Sequence, residues 1–290
     1  MGASKSQSFA LAFVQGRNIN AADVIALLRE VYADGIGTRD EAEELIAFDH
    51  SLASATPGWR DFFAATVADH VLQRQEPAGF VDKGKAEWLV GALAHGRRIA
   101  TVGGFAAVLR LIEIAPETPP VLAAYAIDQL RVAVIAGEGP AIGKRAHYSR
   151  MIDGEDVALL ARILVAAGGD AGHAVSRAEA EALFDLHDAV AGGASDPAFD
   201  DLFFKAIANH LMSALSVKVA PRRDMLAPGA TIAERLPADA RLDADQTAWL
   251  ASRIMRDGRP TAAEYSLLRL FSGEPGDIDP TLRRFLDRAA

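Results

Sequence analysis

Cysteine is absent from this 290-residue chain. That closes disulfide frameworks, thiolate metal sites, cysteine nucleophiles and palmitoylation together. Aromatic residues make up only 7% of the chain, and positive charge comes only in short pairs such as Arg97 with Arg98, Lys144 with Arg145, and Arg222 with Arg223, against a formal net charge of −9. A surface that tracks phosphates needs a basic stripe and exposed rings, so no nucleic-acid partner is expected. Long hydrophobic runs are missing as well. The longest apolar region, VLAAYAIDQLRVAVIAG from Val121, is interrupted by Asp128, Gln129 and Arg131 and does not suit a membrane span. The N-terminal run FALAFV is too short for a signal-peptide core, which leads to the expectation of a cytoplasmic protein. The opening MGASKS fits the myristoylation pattern through Gly2 and Ser6. Against that single short motif stands an arginine- and alanine-rich usage resembling that of high-GC bacteria, where the modification is not expected.

Catalytic signatures are lacking too: there is no HExxH, no Walker motif, no dinucleotide fingerprint and no nucleophile elbow. The segment GPAIGK from Gly139 is one residue too short for a phosphate loop, and Lys144 is followed by Arg145 rather than serine or threonine. No run of alternating β-branched residues marks a strand.

What is there is a repeat. WRDFFAATVADHVL from Trp59 aligns without a gap with FDDLFFKAIANHLM from Phe199, pairing Asp61, Phe63, Ala68 and His70 with Asp201, Phe203, Ala208 and His210. TRDEAEEL from Thr38 aligns with SRAEAEAL from Ser176, DVIALLREV from Asp23 with DVALLARIL from Asp156, and DKGKAEWL from Asp82 with DADQTAWL from Asp243. Four blocks in one order imply an all-α chain built as a tandem duplicated helical bundle, about six helices per repeat. The expected divisions are a leader over 1–16, repeat 1 over 17–136, a linker over 137–153 and repeat 2 over 154–290, with a proline-punctuated insertion at 216–242. A loop of that length is either functional or disordered.

Apolar stripes and caps place the helices. Val24, Ile25, Leu27, Leu28 and Val31 follow helical spacing, and Thr38 with Glu41 has the form of a capping box. The Asp-Gly turns, DGIGTRDE from Asp34 and DGRPTAAE from Asp257, admit two readings. A calcium loop with Gly35 or Gly258 at its sixth position puts Glu41 or Glu264 at the twelfth, where a bidentate carboxylate belongs. Its first position, however, falls on Glu30 in one loop and on Arg253 in the other. The simpler reading is a glycine that ends one helix and a cap that starts the next.

His70 and His210 occupy equivalent positions beside an apolar face, and packing across the Pro57 turn brings His70 to the level of Asp34 and Glu41. A metal or proton-switch site of Asp34, Glu41, Asp69 and His70, mirrored by Asp170, Glu179 and His210, stands beside the reading of a structural histidine bonded to the cap region. Asp49 with His50 and His187 with Asp188 exchange order between the halves, which reads as surface variation at a helix end.

The stretch ADGIGTRDEAEEL from Ala33 resembles the helix-turn-helix signature of the tellurite-resistance TerB-like domains, over about a dozen residues in each half. The resemblance implies an all-helical bundle with an acidic surface, no established catalytic chemistry, divalent-metal binding, and a role in stress-associated or membrane-proximal complexes. It would pass a metal-contacting role to Asp34, Glu41 and Glu179. The expected function is a non-enzymatic helical scaffold with a protein partner and no cofactor. The alternatives are a divalent-cation sensor using the Asp-Gly turns, with Asp34, Glu41, His70, Glu179 and His210 as ligands, and an enzyme built on the histidine and carboxylate sites.

Overall fold

Short-range capping decides where most of these helices begin. The computed structural model describes residue 25 and residues 35–145, 150–215, 220–236, 240–256 and 260–271, in two units, Met1–Tyr148 and Ser149–Ala290. Among the described residues are eleven α-helices and only two two-residue hairpins, so the chain is mostly helical. No described helix is long and apolar enough to cross a membrane.

In unit 1, Thr38 and Glu41 form the expected capping box and open α1 (Arg39–Ser51). Thr56 accepts from the Trp59 amide and opens α2 (Pro57–Asp69). Pro57 lies in the first turn, where its missing N–H leaves no bond unmade. The chain then runs through a π-helical turn, His70–Arg74. Asp82 caps α3 (Lys83–Leu93), the hairpin β1 (Ala94–His95) and β2 (Arg98–Ile99) follows, and Thr101 caps α4 (Val102–Ile114). Helix α5 (Pro120–Ala136) stops at Gly137, whose left-handed φ of 75° favours glycine. A second hairpin, β3 (Glu138–Gly139) and β4 (Gly143–Lys144), folds back against α5. Helices α2 and α4 pack on each other, and both bury large side chains, Trp59, Phe63 and Val67 on α2 and Val108, Leu111 and Ile112 on α4. Each such side chain contributes about 1.5–3 kcal/mol by leaving water.

Unit 2 opens with α6 (Gly154–Ala166) behind an Asp153–Asp156 capping box and α7 (Arg177–Ala189) behind a Ser176–Glu179 one. Asp196 caps α8 (Pro197–Ala214). After α9 (Arg222–Leu226) and a 3-10 turn (Ala233–Arg235) come α10 (Ala244–Ile254), capped by Asp243, and α11 (Ala262–Phe271). Phe184 joins α7 to α8 and α10, meeting Phe203 edge-on at 5.0 Å and Trp249 at 5.7 Å.

The stretch predicted as a linker over 137–153 begins as the β3–β4 hairpin of unit 1, and the boundary between the units falls inside it, at 148/149. The predicted insertion carries α9, and its Arg222 is only 1% exposed, so the described part of this segment is anchored in unit 2. The expected leader, the helix around Val24 apart from the exposed helical Ile25, Asp34, and the Asp257–Gly258 turn lie outside the described residues.

Candidate binding cleft

Glu41, His70, Glu179 and His210, which the sequence offers as chemistry, are bonded into the framework. Both carboxylate roles of the capping box are visible at Glu41, whose Oε2 accepts from the amides of Gly37 (2.8 Å) and Thr38 (3.2 Å). Glu179 is held more tightly. Its Oε2 accepts from the Ser176 amide, and its two oxygens take both Arg222 terminal nitrogens at 2.9 Å, while Arg222 also donates to the carbonyls of Leu164 (2.7 Å) and Ala174 (2.6 Å). A carboxylate in a bidentate, buried guanidinium pair offers little to a metal ion.

His70 and His210 play one part in the two units. Nδ1 of His70 lies 3.1 Å from the Ile36 carbonyl, and Nδ1 of His210 lies 2.8 Å from that of Val175. A carbonyl only accepts, so each imidazole carries its proton on Nδ1 and ties α2 or α8 to the chain just before a capping box. Each ring rests against a tryptophan, Trp88 at 5.8 Å or Trp249 at 5.1 Å. Each tryptophan donates its Nε1–H to a glutamate of the capped helix, Glu43 at 3.0 Å or Glu181 at 3.3 Å, and carries an arginine on its ring, Arg39 at 5.2 Å or Arg177 at 4.5 Å. Burial pushes both histidines below their usual pKa, opposed by the carbonyl bonds.

Glu41 and His70 belong to unit 1 and Glu179 and His210 to unit 2, and among the described residues none of them enters a three-ligand group. Among the described residues, the three metal-type side chains that converge are instead His187, Asp188 and Glu264, with donor atoms within 4.8 Å of one another. The sequence singled out Glu264 as a loop glutamate and did not connect it to α7. Asp188 is held by Arg256, whose Nε lies at 2.7 Å, and Glu264 accepts from the Thr261 amide at 2.7 Å.

The exchange of Asp49–His50 for His187–Asp188 is not surface variation. Asp49 is 2% exposed and His187 4%. Asp49 accepts from Trp59 Nε1 at 2.7 Å and from the Thr101 hydroxyl, and it lies at the N-terminus of α4, so close that a Cβ on Gly103 would stand 2.9 Å from its Oδ1. A side chain at Gly103 would force the Asp49 carboxylate or the Phe63 ring, 3.1 Å away, to shift. Burial raises the Asp49 pKa, and the bonds from Thr101 and Trp59 oppose the rise. His187 instead stacks on Phe203, with centroids 4.1 Å apart and planes 9° from parallel.

Asp49 is also part of the lining of a cleft of about 640 Å³ in unit 1. Its walls are the starts of α2 and α4, the outer turns of α5, and both hairpins. Gln129 fixes the first hairpin to α5, accepting from the Ile99 amide at 2.9 Å and donating to the Arg97 carbonyl at 3.0 Å. The second hairpin presses on α5 where a Cβ at Gly139 would meet Ala133 Cβ at 2.9 Å. Arg60, Arg98 and Lys144 are exposed along this lining, with Glu138 as the one exposed acid. Arg60 pairs with Asp61 at 2.8 Å, whereas among the described residues Arg98 and Lys144 have no ion-pair partner. The hairpin that the sequence dismissed as a failed phosphate loop therefore forms a cleft wall. A cavity of this size with a few polar groups suits a small ligand, and the buried Asp49, its oxygens already bonded, is poorly placed as a base.

Comparison of the chain with protein-family models, curated proteins and solved structures finds no match.

Proposed function

We propose that the chain is a non-enzymatic helical binding protein made of two copies of one TerB-like unit, a scaffold for a protein partner whose unit 1 cleft holds a small ligand. The observation that carries this reading is the recurrence of one polar set in both units: capping box, histidine to carbonyl, histidine on tryptophan, tryptophan to glutamate, arginine on tryptophan. Copies of a unit would keep a set that holds the frame together, and residues used in this way are spent on structure. The cleft, by contrast, keeps exposed cations and apolar wall in contact with solvent.

The full chain isolated from its own cells is examined by native mass spectrometry beside Ala136→Trp, which blocks the cleft from an exposed position. A small adduct lost in the variant, with a protein adduct kept in both, is the expected result. Absence of both adducts from the wild-type chain overturns the reading.

A divalent-cation sensor is the second reading, favoured by the convergence of His187, Asp188 and Glu264. A cation at a hundredfold excess over its Kd stabilises the folded state by about 2.7 kcal/mol. Thermal melting after chelation, with calcium, magnesium, manganese or zinc added back, measures it. A rise abolished by Glu264→Gln supports this group, one abolished by Glu41→Gln supports the Asp-Gly turn, and no rise removes the reading.

A further inference from the structure

The unit 1 cleft combines three properties that together define a ligand class. Its wall is aliphatic in part, through Leu52, Ile99, Val102 and Val132, and among the described residues no aromatic side chain lines it. The described lining thus offers aliphatic contact rather than a ring for a planar ligand to stack on. Val102 is 46% exposed, so a large apolar side chain stands in water on the cleft lining. Single exposed apolar residues are common, but this one is part of the cleft lining.

The third property is charge. In a chain of net charge −9, the exposed part of this lining carries three cations and one acid. Lys144 stands opposite Glu138 across the β3–β4 ladder, yet no ion pair joins them. Arg98 and Lys144 come from different hairpins, and each hairpin is clipped to α5, Arg98's by Gln129 and Lys144's by the close approach at Ala133. Two cations therefore line one cleft from separately anchored walls, beside aliphatic side chains.

We propose that the cleft binds an aliphatic chain carrying a carboxylate or phosphate headgroup, with Arg98 and Lys144 on the headgroup and the aliphatic wall on the chain. This rests on the reading of the cleft as the ligand site and names its ligand class. Arg60 contributes less, because Asp61 already neutralises it.

Isothermal titration of the full chain with octanoate, octyl phosphate, inorganic phosphate and 1-octanol tests the proposal and separates the two headgroups. At least one octyl anion is expected to bind at least about tenfold more tightly than both 1-octanol and inorganic phosphate. Arg98→Ala and Lys144→Ala each weaken that anion by about tenfold, the effect of losing a hydrogen bond to a charged group. Both positions are exposed and unpaired among the described residues, so the fold does not depend on them, and an unchanged circular dichroism melt verifies this. Equal binding of 1-octanol, equal binding of inorganic phosphate, insensitivity to both substitutions, or no binding of either octyl anion overturns the proposal. If the octyl anions fail while the native adduct is still lost in Ala136→Trp, the ligand class is wrong and the site stands. If that adduct is missing as well, the binding reading falls with it.

Discussion

Units 1 and 2 keep the same histidine and tryptophan bonds but solve one buried position in opposite ways. Where unit 1 places Asp49 at the start of α4, unit 2 places His187 flat on Phe203 and has Glu264 on α11 nearby. Where unit 1 leaves Glu41 as a partly exposed cap, unit 2 buries Glu179 and sends Arg222 from a distant segment to meet it. The shared histidine and tryptophan bonds also span distant segments, 34 to 68 residues apart, but they use neutral or exposed groups, whereas a buried charge left without a partner is costly. The two units therefore agree in their caps and differ in their buried charges.

Arg222→Ala is the strongest way to break the comparison. It leaves Glu179 charged and buried in unit 2 with nothing equivalent lost in unit 1, and the expected cost is about 3–5 kcal/mol. Urea unfolding followed by hydrogen exchange should place the loss in unit 2, and even protection loss across both units would refute the assignment. Asp49→Ala is next. It strands the Trp59 indole N–H and the Thr101 hydroxyl, at about 1–3 kcal/mol for each unpaired group. The melt should recover partly in Asp49→Asn, which keeps an acceptor.

The histidines sharpen the point through pH. Burial holds His70 and His210 below their ordinary pKa of 6.5 in the folded chain, so the unfolded chain binds more protons as pH falls below that value. Stability is full above about pH 6.5 and declines towards the folded-state values. The facing charges are Arg39, Glu41 and Asp69 in unit 1 and Arg177, Glu179 and Glu181 in unit 2. Asp49 works in the opposite direction, since its raised pKa makes its ionisation costly as pH rises. His70→Gln and His210→Gln should each flatten the decline below pH 6.5 in denaturant titrations. A slope unchanged in both variants would assign it to other groups. The smallest effect belongs to Arg39→Ala and Arg177→Ala. Each removes a cation from a tryptophan face, worth about 0.5–1 kcal/mol at an exposed site. The shorter 4.5 Å approach in unit 2 predicts the larger loss there.

The caps were legible because their physics is local. Thr38 with Glu41 and Ser176 with Glu179 each act over three residues, and the reading needs no knowledge of what packs where. The histidine bond to the cap region was legible as one of two readings, through the matched positions of His70 and His210. Asp49 was misread because its partners are far away in sequence. Thr101 lies 52 residues on, and nothing in the pair Asp49–His50 announces that α4 will begin beside it. The cleft was invisible for the same reason, being the space left between α2, α4, α5 and two hairpins, one of them inside the expected linker.

By itself, then, the sequence determined the helical class, the capped start at Thr38 and the matched positions of the two histidines, because apolar periodicity and capping act within one or two turns of helix. Only the tertiary structure decided that Arg222 would neutralise Glu179, that Asp49 would close the start of α4, and that Arg98 and Lys144 would share one cleft. Those pairings depend on burial, which makes an unpaired charge costly, and on chain segments brought together from 30 to 58 residues apart, as the Gln129–Ile99 and Arg222–Leu164 bonds are.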